Sequence, residues 1–130
     1  MRTAALMALL GVGALVALAI ALAILFVPGP FYAGYGIDPA GNVALLNELK
    51  APALLILAAG LAMLMGLARP AWRQRALWTG ALFYLSFGLS RLFAMALDGP
   101  PPAGLLWAMA SELVLGLLFA LALWQARPAD

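Results

Sequence analysis

The sequence contains no cysteine and no histidine among its 130 residues. Without cysteine it can form no disulfide and carry out no thiol redox chemistry. Without both residues it also lacks the ligands of the usual zinc sites and of bis-histidine haem. We therefore expect no metal and no other cofactor. Carboxylates, hydroxyls and amides are the polar groups left to form a site.

Charged residues are present but scarce. Only 9% of the residues are charged and 67% are hydrophobic, whereas about a quarter of the residues of a soluble domain are charged. So few charges cannot cover a surface in water, so lipid must surround most of the side chains. The net charge of +2 is too small to indicate nucleic acid as a partner. The composition predicts one all-α domain over residues 1–130, with the lipid bilayer as its surroundings.

Hydrophobic runs separated by proline, glycine and charged residues predict four transmembrane helices in an antiparallel bundle. The predicted spans are about 3–27, 42–69, 76–97 and 104–125, each long enough to cross about 30 Å of hydrocarbon at about 1.5 Å per residue. The first run could instead be a secretory signal cleaved after Ala21-Leu22-Ala23, but signal hydrophobic regions of about 7–15 residues are shorter than this run. Between the first two spans, Phe31, Tyr32 and Tyr35 stand among prolines and glycines and predict an ordered interfacial loop.

The arginines predict the orientation. Five of them fall on one side of a four-span arrangement: Arg2, Arg69, Arg73, Arg75 and Arg127. The loops on the other side contain Asp38 and Asp98 but no lysine or arginine. By the positive-inside rule, this distribution predicts a multi-pass protein of the bacterial inner membrane with both termini in the cytoplasm.

Four ionisable residues fall inside the predicted spans: Glu48 and Lys50 in the second, Arg91 in the third and Glu112 in the fourth. At about 1.5 Å per residue they lie roughly 7–12 Å below the same boundary, in one layer. Charges inside a membrane normally pair within the bundle or face a wet cavity. We therefore predict a buried network of these four residues, centred on Arg91 because a guanidinium can bind two carboxylates.

Two neighbouring features extend this layer. Tyr84, Arg91 and Asp98 recur at seven-residue spacing and should share one face of their helix. Pro52 lacks the N–H that would bond to the carbonyl of Glu48, so the second helix should kink at the charged layer. That free carbonyl, beside a carboxylate, could contribute to binding a cation or a polar head group.

Short motifs spread over nearly the whole chain carry a family resemblance: Asn47-Glu48-Leu49-Lys50, Ser90-Arg91, Asp98-Gly99-Pro100 and Glu112-Leu113. The pattern resembles an uncharacterised bacterial family of small four-helix membrane proteins whose function is unknown, and is distantly similar to the DoxX-like membrane proteins. Lys50 departs from the arginine more usual there but keeps the charge. The resemblance implies a four-helix bundle with a shared polar site and implies no activity. With Asn47 and Tyr84, the candidate site comprises Asn47, Glu48, Lys50, Tyr84, Arg91, Asp98 and Glu112.

Three functional classes remain open. The sequence favours a periplasm-facing charged pocket that binds a small polar or amphipathic ligand, or a partner subunit. The second class is a proton- or solute-coupled transporter that works as a homo-oligomer, with Glu112 as its titrating group. The third is a membrane enzyme acting on a lipid or isoprenoid with Glu48 and Glu112 in acid–base roles. Catalysis ranks last because the sequence shows no nucleophile–base pair, metal motif or phosphate loop. The charges could also be structural, setting helix register.

Overall fold

Four helical stretches are long and apolar enough to cross a membrane in a computed structural model that describes residues 3–126. They are Thr3–Phe26, Val43–Ala68, Pro70–Asp98 and Ala103–Gln125. The part of the chain that the structure describes contains no strand. The predicted all-α fold with four spans is therefore confirmed, and the chain is a multi-pass membrane protein. Arg2 and Arg127, which entered the prediction of orientation, lie outside the described residues.

Six α-helices make up these spans and their connections: α1 Thr3–Phe26, α2 Pro28–Ala33, α3 Val43–Lys50, α4 Ala53–Ala68, α5 Arg73–Asp98 and α6 Ala103–Gln125. The bundle has two chemically distinct ends. The acidic end holds the loops 34–42 and 99–102, with Asp38 and the neighbouring Asp98. The basic end holds the segment 69–75, with its three arginines.

The connection between the second and third spans is shorter than predicted. Arg69 has an extended backbone, and a 3₁₀ turn, Pro70–Trp72, leads directly into α5. Proline suits the first position of a helix because its missing N–H would find no partner there anyway. As a result α5 begins at Arg73 rather than near Ala76, and Arg73 and Arg75 lie in its first turn.

The second span is interrupted at Ala51 and Pro52, the proline for which the sequence predicted a kink. Both residues keep a right-handed helical backbone, so α3 and α4 follow one another with a local gap in their hydrogen bonding. Across the gap, the Ala51 N–H donates to the Asn47 carbonyl and the Ile56 N–H donates to the Pro52 carbonyl. The carbonyl that gains a side-chain partner is that of Leu49, which accepts a bond from the Tyr32 hydroxyl at 3.2 Å.

Glycines set the distances between neighbouring helices. Helix α1 packs along α4, α4 packs on α5 and α5 packs on α6, whereas α1 and α6 touch only sparsely. On the α5–α6 interface Leu113 covers Gly88 and Leu85 covers Gly116, and a Cβ added at either glycine would lie 2.7–2.8 Å from the facing leucine. Because lipid is as apolar as leucine, such close van der Waals packing is what holds membrane helices together.

Phe119 forms the centre of the bundle. Its side chain is fully buried and packs against Gly13 of α1 and Gly80 of α5. Its ring stacks on that of Tyr84, with centroids 5.9 Å apart. The Tyr84 hydroxyl donates a 2.6 Å hydrogen bond to the Gly13 carbonyl, which ties α5 to α1. This layer separates the half of the bundle towards the basic end from the half that contains the charged residues.

Candidate functional site

An ion pair joins α5 and α6 inside the bundle. Nε of Arg91 donates to Oε2 of Glu112 at 2.8 Å, and the two side chains are 31% and 13% exposed. At about 1.5 Å per residue, Arg91 lies about 10 Å from the end of α5 and Glu112 about 13 Å from the start of α6. Both charges therefore sit below the acidic end, at a depth where an unpaired charge would be unfavourable.

A cavity of about 360 Å³ lies beside this ion pair. Its polar wall consists of Arg91 and Glu112 together with Tyr32, Tyr35 and Ser111. Most of the remaining wall is apolar and comes from α1, α4 and α5: Val16, Ile20, Ile24, Ile56, Phe83 and Phe87. The cavity thus combines a charged, hydrogen-bonding side with a hydrophobic one.

Helical periodicity explains how the wall is built. Phe83, Phe87 and Arg91 follow one another at four-residue spacing, so they lie along one face of α5 with the guanidinium nearest the acidic end. On α6, Ala108 and Glu112 have the same spacing and both line the cavity. The small side chain of Ala108 leaves room in front of the carboxylate. The sequence of these two helices therefore places a charged pair next to a hydrophobic stripe.

The helix α2 and the turn after it contribute the aromatic part of the wall. Phe31 packs edge to face on Tyr32 and Tyr35, with ring centroids 5.0 and 5.3 Å away. Burial raises the pKa of Tyr32 above its usual value, although the positive charge of Arg91 partly offsets this. The Tyr32 hydroxyl donates to the Leu49 carbonyl at 3.2 Å. This segment is anchored at Gly104, where a Cβ would lie 2.5 Å from the Gly34 carbonyl oxygen.

Two further predicted site residues lie close to the ion pair. Tyr84 lines the cavity, but its hydroxyl bonds to Gly13 rather than to a charged group. Asp98 is exposed and lies, with Arg91, around a smaller cavity of about 170 Å³ nearer the acidic end. The predicted face of Tyr84, Arg91 and Asp98 thus runs past the ion pair from the core to the surface.

The other predicted residues do not join the ion pair, and the structure replaces the expected four-residue network by a single pair. Among residues 3–126, Arg91 and Glu112 form the one ion pair within 4.0 Å. Asn47 and Glu48 are exposed, and Asn47 and Lys50 line a separate surface groove. The reason is helix rotation, because Leu49 is the residue of α3 that faces the cavity. Arg91 consequently binds one carboxylate and not two.

Sequence reasoning missed three polar residues of the cavity wall: Tyr32, Tyr35 and Ser111. The two tyrosines had been placed at the membrane interface because they belong to a loop rich in proline and glycine. A signal was present in that loop, since Pro28 and Pro30 at the start of an aromatic stretch suit a short helix. Within the described residues, no three acidic side chains cluster closely enough to hold a metal ion.

Comparison with known proteins gives a family and no activity. No curated protein and no solved structure matches the chain. A family model described as a domain of unknown function, DUF4345, matches residues 5–123. The match extends from α1 to α6 and includes both partners of the ion pair, in agreement with the predicted membership of a family of unknown function. The chain therefore belongs to the DUF4345 family.

Proposed function

We propose that this protein binds an amphipathic small molecule in the cavity beside Arg91 and Glu112. The polar group of the ligand would meet the ion pair, and its apolar part would lie against α1 and α5. One observation carries the proposal: the ion pair forms one side of a 360 Å³ cavity whose other side is hydrophobic. Ligand pockets typically enclose about 300–1,000 Å³ and combine an apolar wall with a few polar groups.

The exposure of Arg91 and its remaining hydrogen-bond donors support a binding role. Its bond to Glu112 uses Nε, which is one of the five N–H donors of a guanidinium. The side chain is 31% exposed and lines two cavities. A pair that served only to set the register of two helices would need neither open space beside it nor spare donors. Hydrogen bonding to a ligand would use both.

The basic end supports a proposal for the side of the membrane on which the cavity lies. Arg69 and Arg75 are exposed there, and the guanidinium carbon of Arg75 lies 4.9 Å from the centre of the Trp72 ring. Arginine beside tryptophan is typical of a membrane interface, and arginine-rich short loops normally remain in the cytoplasm. We therefore place the protein in a bacterial inner membrane with the acidic end and the cavity towards the periplasm.

Native mass spectrometry of the protein released from lipid nanodiscs tests the binding proposal. We expect the wild type to retain a small molecule of defined mass, and Glu112→Gln to lose it because the ion pair is broken. Glu48→Gln is the matched control, since Glu48 is an exposed glutamate of the second span outside the cavity wall, and it should retain the molecule. The same spectra give the subunit count. A wild type free of bound molecules, even after incubation with an extract of its native membrane, would contradict the proposal.

A further inference from the structure

The charges of the cavity wall cancel. Arg91 and Glu112 neutralise each other at 2.8 Å, and the other side chains of the wall are uncharged. A charged head group taken into this site would therefore lack a counter-charge in a region shielded from water, which is unfavourable. An uncharged polar head group adds no charge to the site. The electrostatics of the wall favour such a head group.

The hydrogen-bonding groups of the wall further restrict the chemistry of the head group. The Tyr32 hydroxyl donates its proton to the Leu49 carbonyl, so its oxygen can still accept a hydrogen bond. The carboxylate of Glu112 is also an acceptor, whereas the guanidinium of Arg91 only donates. A ligand hydroxyl can accept from Arg91 and donate to Glu112 at the same time. The wall thus complements a group that is both donor and acceptor.

The size of the cavity limits how much of the ligand it encloses. A cavity of about 150 Å³ holds one benzene molecule, so about 360 Å³ accommodates roughly a dozen non-hydrogen atoms. That is enough for a head group and a short length of chain. A longer hydrocarbon chain would have to leave the cavity through its wall, at a place where two neighbouring helices are loosely packed.

The seam between α1 and α6 is such a place, because these two helices contact each other only sparsely. Their contact includes Phe119 against Gly13, on the side of the cavity towards the basic end. Beyond it both helices line the cavity, and Ser111 of α6 lines it while being exposed at the surface of the bundle. Ser111 lies about 12 Å from the start of α6 at about 1.5 Å per residue. An opening at this depth faces hydrocarbon rather than water.

From these observations we infer that the ligand is a long-chain amphiphile with an uncharged, hydroxyl-bearing head group that is dissolved in the bilayer. It enters sideways through the seam between α1 and α6 and places its hydroxyl against the Arg91–Glu112 pair, accepting from the guanidinium and donating to the carboxylate. This inference rests on the proposed binding function and adds the class of ligand and the route of entry.

Photolabelling in nanodiscs tests the head group. Three probes share one diazirine-bearing alkyl chain and end in a hydroxyl, a carboxylate or a trimethylammonium group. We expect saturable labelling of α1 and α6 by the alcohol, at half-saturating concentrations at least about tenfold below those of the two charged probes, which corresponds to about 1.4 kcal/mol. Stronger labelling of the same helices by either charged probe would overturn the inferred head group. It would leave the proposed binding function intact if Glu112→Gln still abolished the labelling.

A matched pair of variants tests the route of entry. Ser111→Trp narrows the seam, whereas Ser90→Trp places the same side chain on an exposed serine of α5 that does not line the cavity. We expect the alcohol to label Ser111→Trp at least about tenfold more slowly than the wild type, and Ser90→Trp at the wild-type rate. Equal rates in all three proteins would overturn entry through the seam. Ser111→Leu repeats the measurement with a smaller side chain should the tryptophan variant elute abnormally from a sizing column.

Failure of the inference and failure of the proposed function are distinguishable. If the function itself fails, none of the three probes labels the cavity helices in a saturable way. If only the inference fails, labelling is saturable and depends on Glu112, but a charged head group is preferred or Ser111→Trp leaves the rate unchanged.

Discussion

Arg91 and Glu112 meet across α5 and α6 in the register that two glycines impose on the same interface. Leu113, the neighbour of Glu112, packs on Gly88, one turn before Arg91. One turn further towards the basic end, Leu85 of α5 packs on Gly116. Because each glycine admits a leucine only at one level, the two helices cannot slide past each other without a clash. The packing of apolar residues thus brings the two charged side chains to the same level, where they form a 2.8 Å hydrogen bond.

Removing one charge should destabilise the protein more than removing both. Arg91→Leu leaves the Glu112 carboxylate without its partner in the membrane. We expect it to lower the free energy of unfolding by about 2–3 kcal/mol, below the roughly 3–5 kcal/mol of a fully buried pair, because the Arg91 side chain is 31% exposed. The double variant Arg91→Leu/Glu112→Leu should lose less than Arg91→Leu alone. Reversible unfolding by SDS in mixed micelles measures these differences.

A double-mutant cycle supplies the check on that prediction. If the losses of Arg91→Leu and Glu112→Leu simply add in the double variant, the two side chains contribute independently and the ion pair does not stabilise the bundle. Glu48→Leu, which replaces an exposed glutamate outside the pair, should change the unfolding free energy little.

Gly116→Ala should destabilise the α5–α6 interface. The added methyl group would lie 2.7 Å from Cγ of Leu85 and 2.8 Å from its backbone nitrogen, and a backbone atom cannot move aside as a side chain can. We expect a loss of about 1–3 kcal/mol, the usual range for overpacking. Gly11→Ala on α1 is the matched control, because its new methyl group would lie 4.0 Å from the nearest atom. If Gly11→Ala lowered the free energy of unfolding as much as Gly116→Ala, the loss would be a general effect of replacing glycine and not of the close contact with Leu85.

Tyr84→Phe should weaken the attachment of α1 to α5. The variant keeps the ring that stacks on Phe119 and removes only the hydroxyl that bonds to the Gly13 carbonyl at 2.6 Å. Since that carbonyl is left without this donor in a buried site, we expect a loss of about 1–3 kcal/mol. The SDS titration measures it, with Ser90→Ala on the exposed side of α5 as the control. Wild-type stability of Tyr84→Phe would mean that water or another group replaces the hydroxyl.

The orientation can be determined cleanly because the chain has no cysteine of its own. Ala40→Cys introduces an exposed thiol at the acidic end, and Gln74→Cys introduces one at the basic end. In intact spheroplasts a membrane-impermeant maleimide should label Ala40→Cys at once and Gln74→Cys only after lysis, since the arginines favour the cytoplasmic side. If Gln74→Cys were labelled at once and Ala40→Cys only after lysis, the orientation would be the reverse of the predicted one, with the cavity towards the cytoplasm.

The sequence alone predicted much of this protein because the number of spans depends on local composition. A run of about 20 apolar residues must form a helix in lipid, as every backbone group needs a partner there. The same local logic predicted the stop of α5 before Gly99, whose positive φ of 94° few other residues adopt. It also identified Arg91 and Glu112 as charges in one layer, since depth follows from counting residues along a helix.

Only the tertiary structure decided which of those charges meet. Glu48 and Lys50 were predicted in the same layer as Arg91, yet neither lines the cavity, whereas Leu49 and Pro52 of the same span do. The tertiary structure also brought Tyr32 from a loop into the wall of the site and left α1 and α6 apart beside it. Depth is a property of one helix and can be read from its sequence. Which side chains face each other is a property of two packed surfaces, and here the glycines and leucines of the α5–α6 interface determine it.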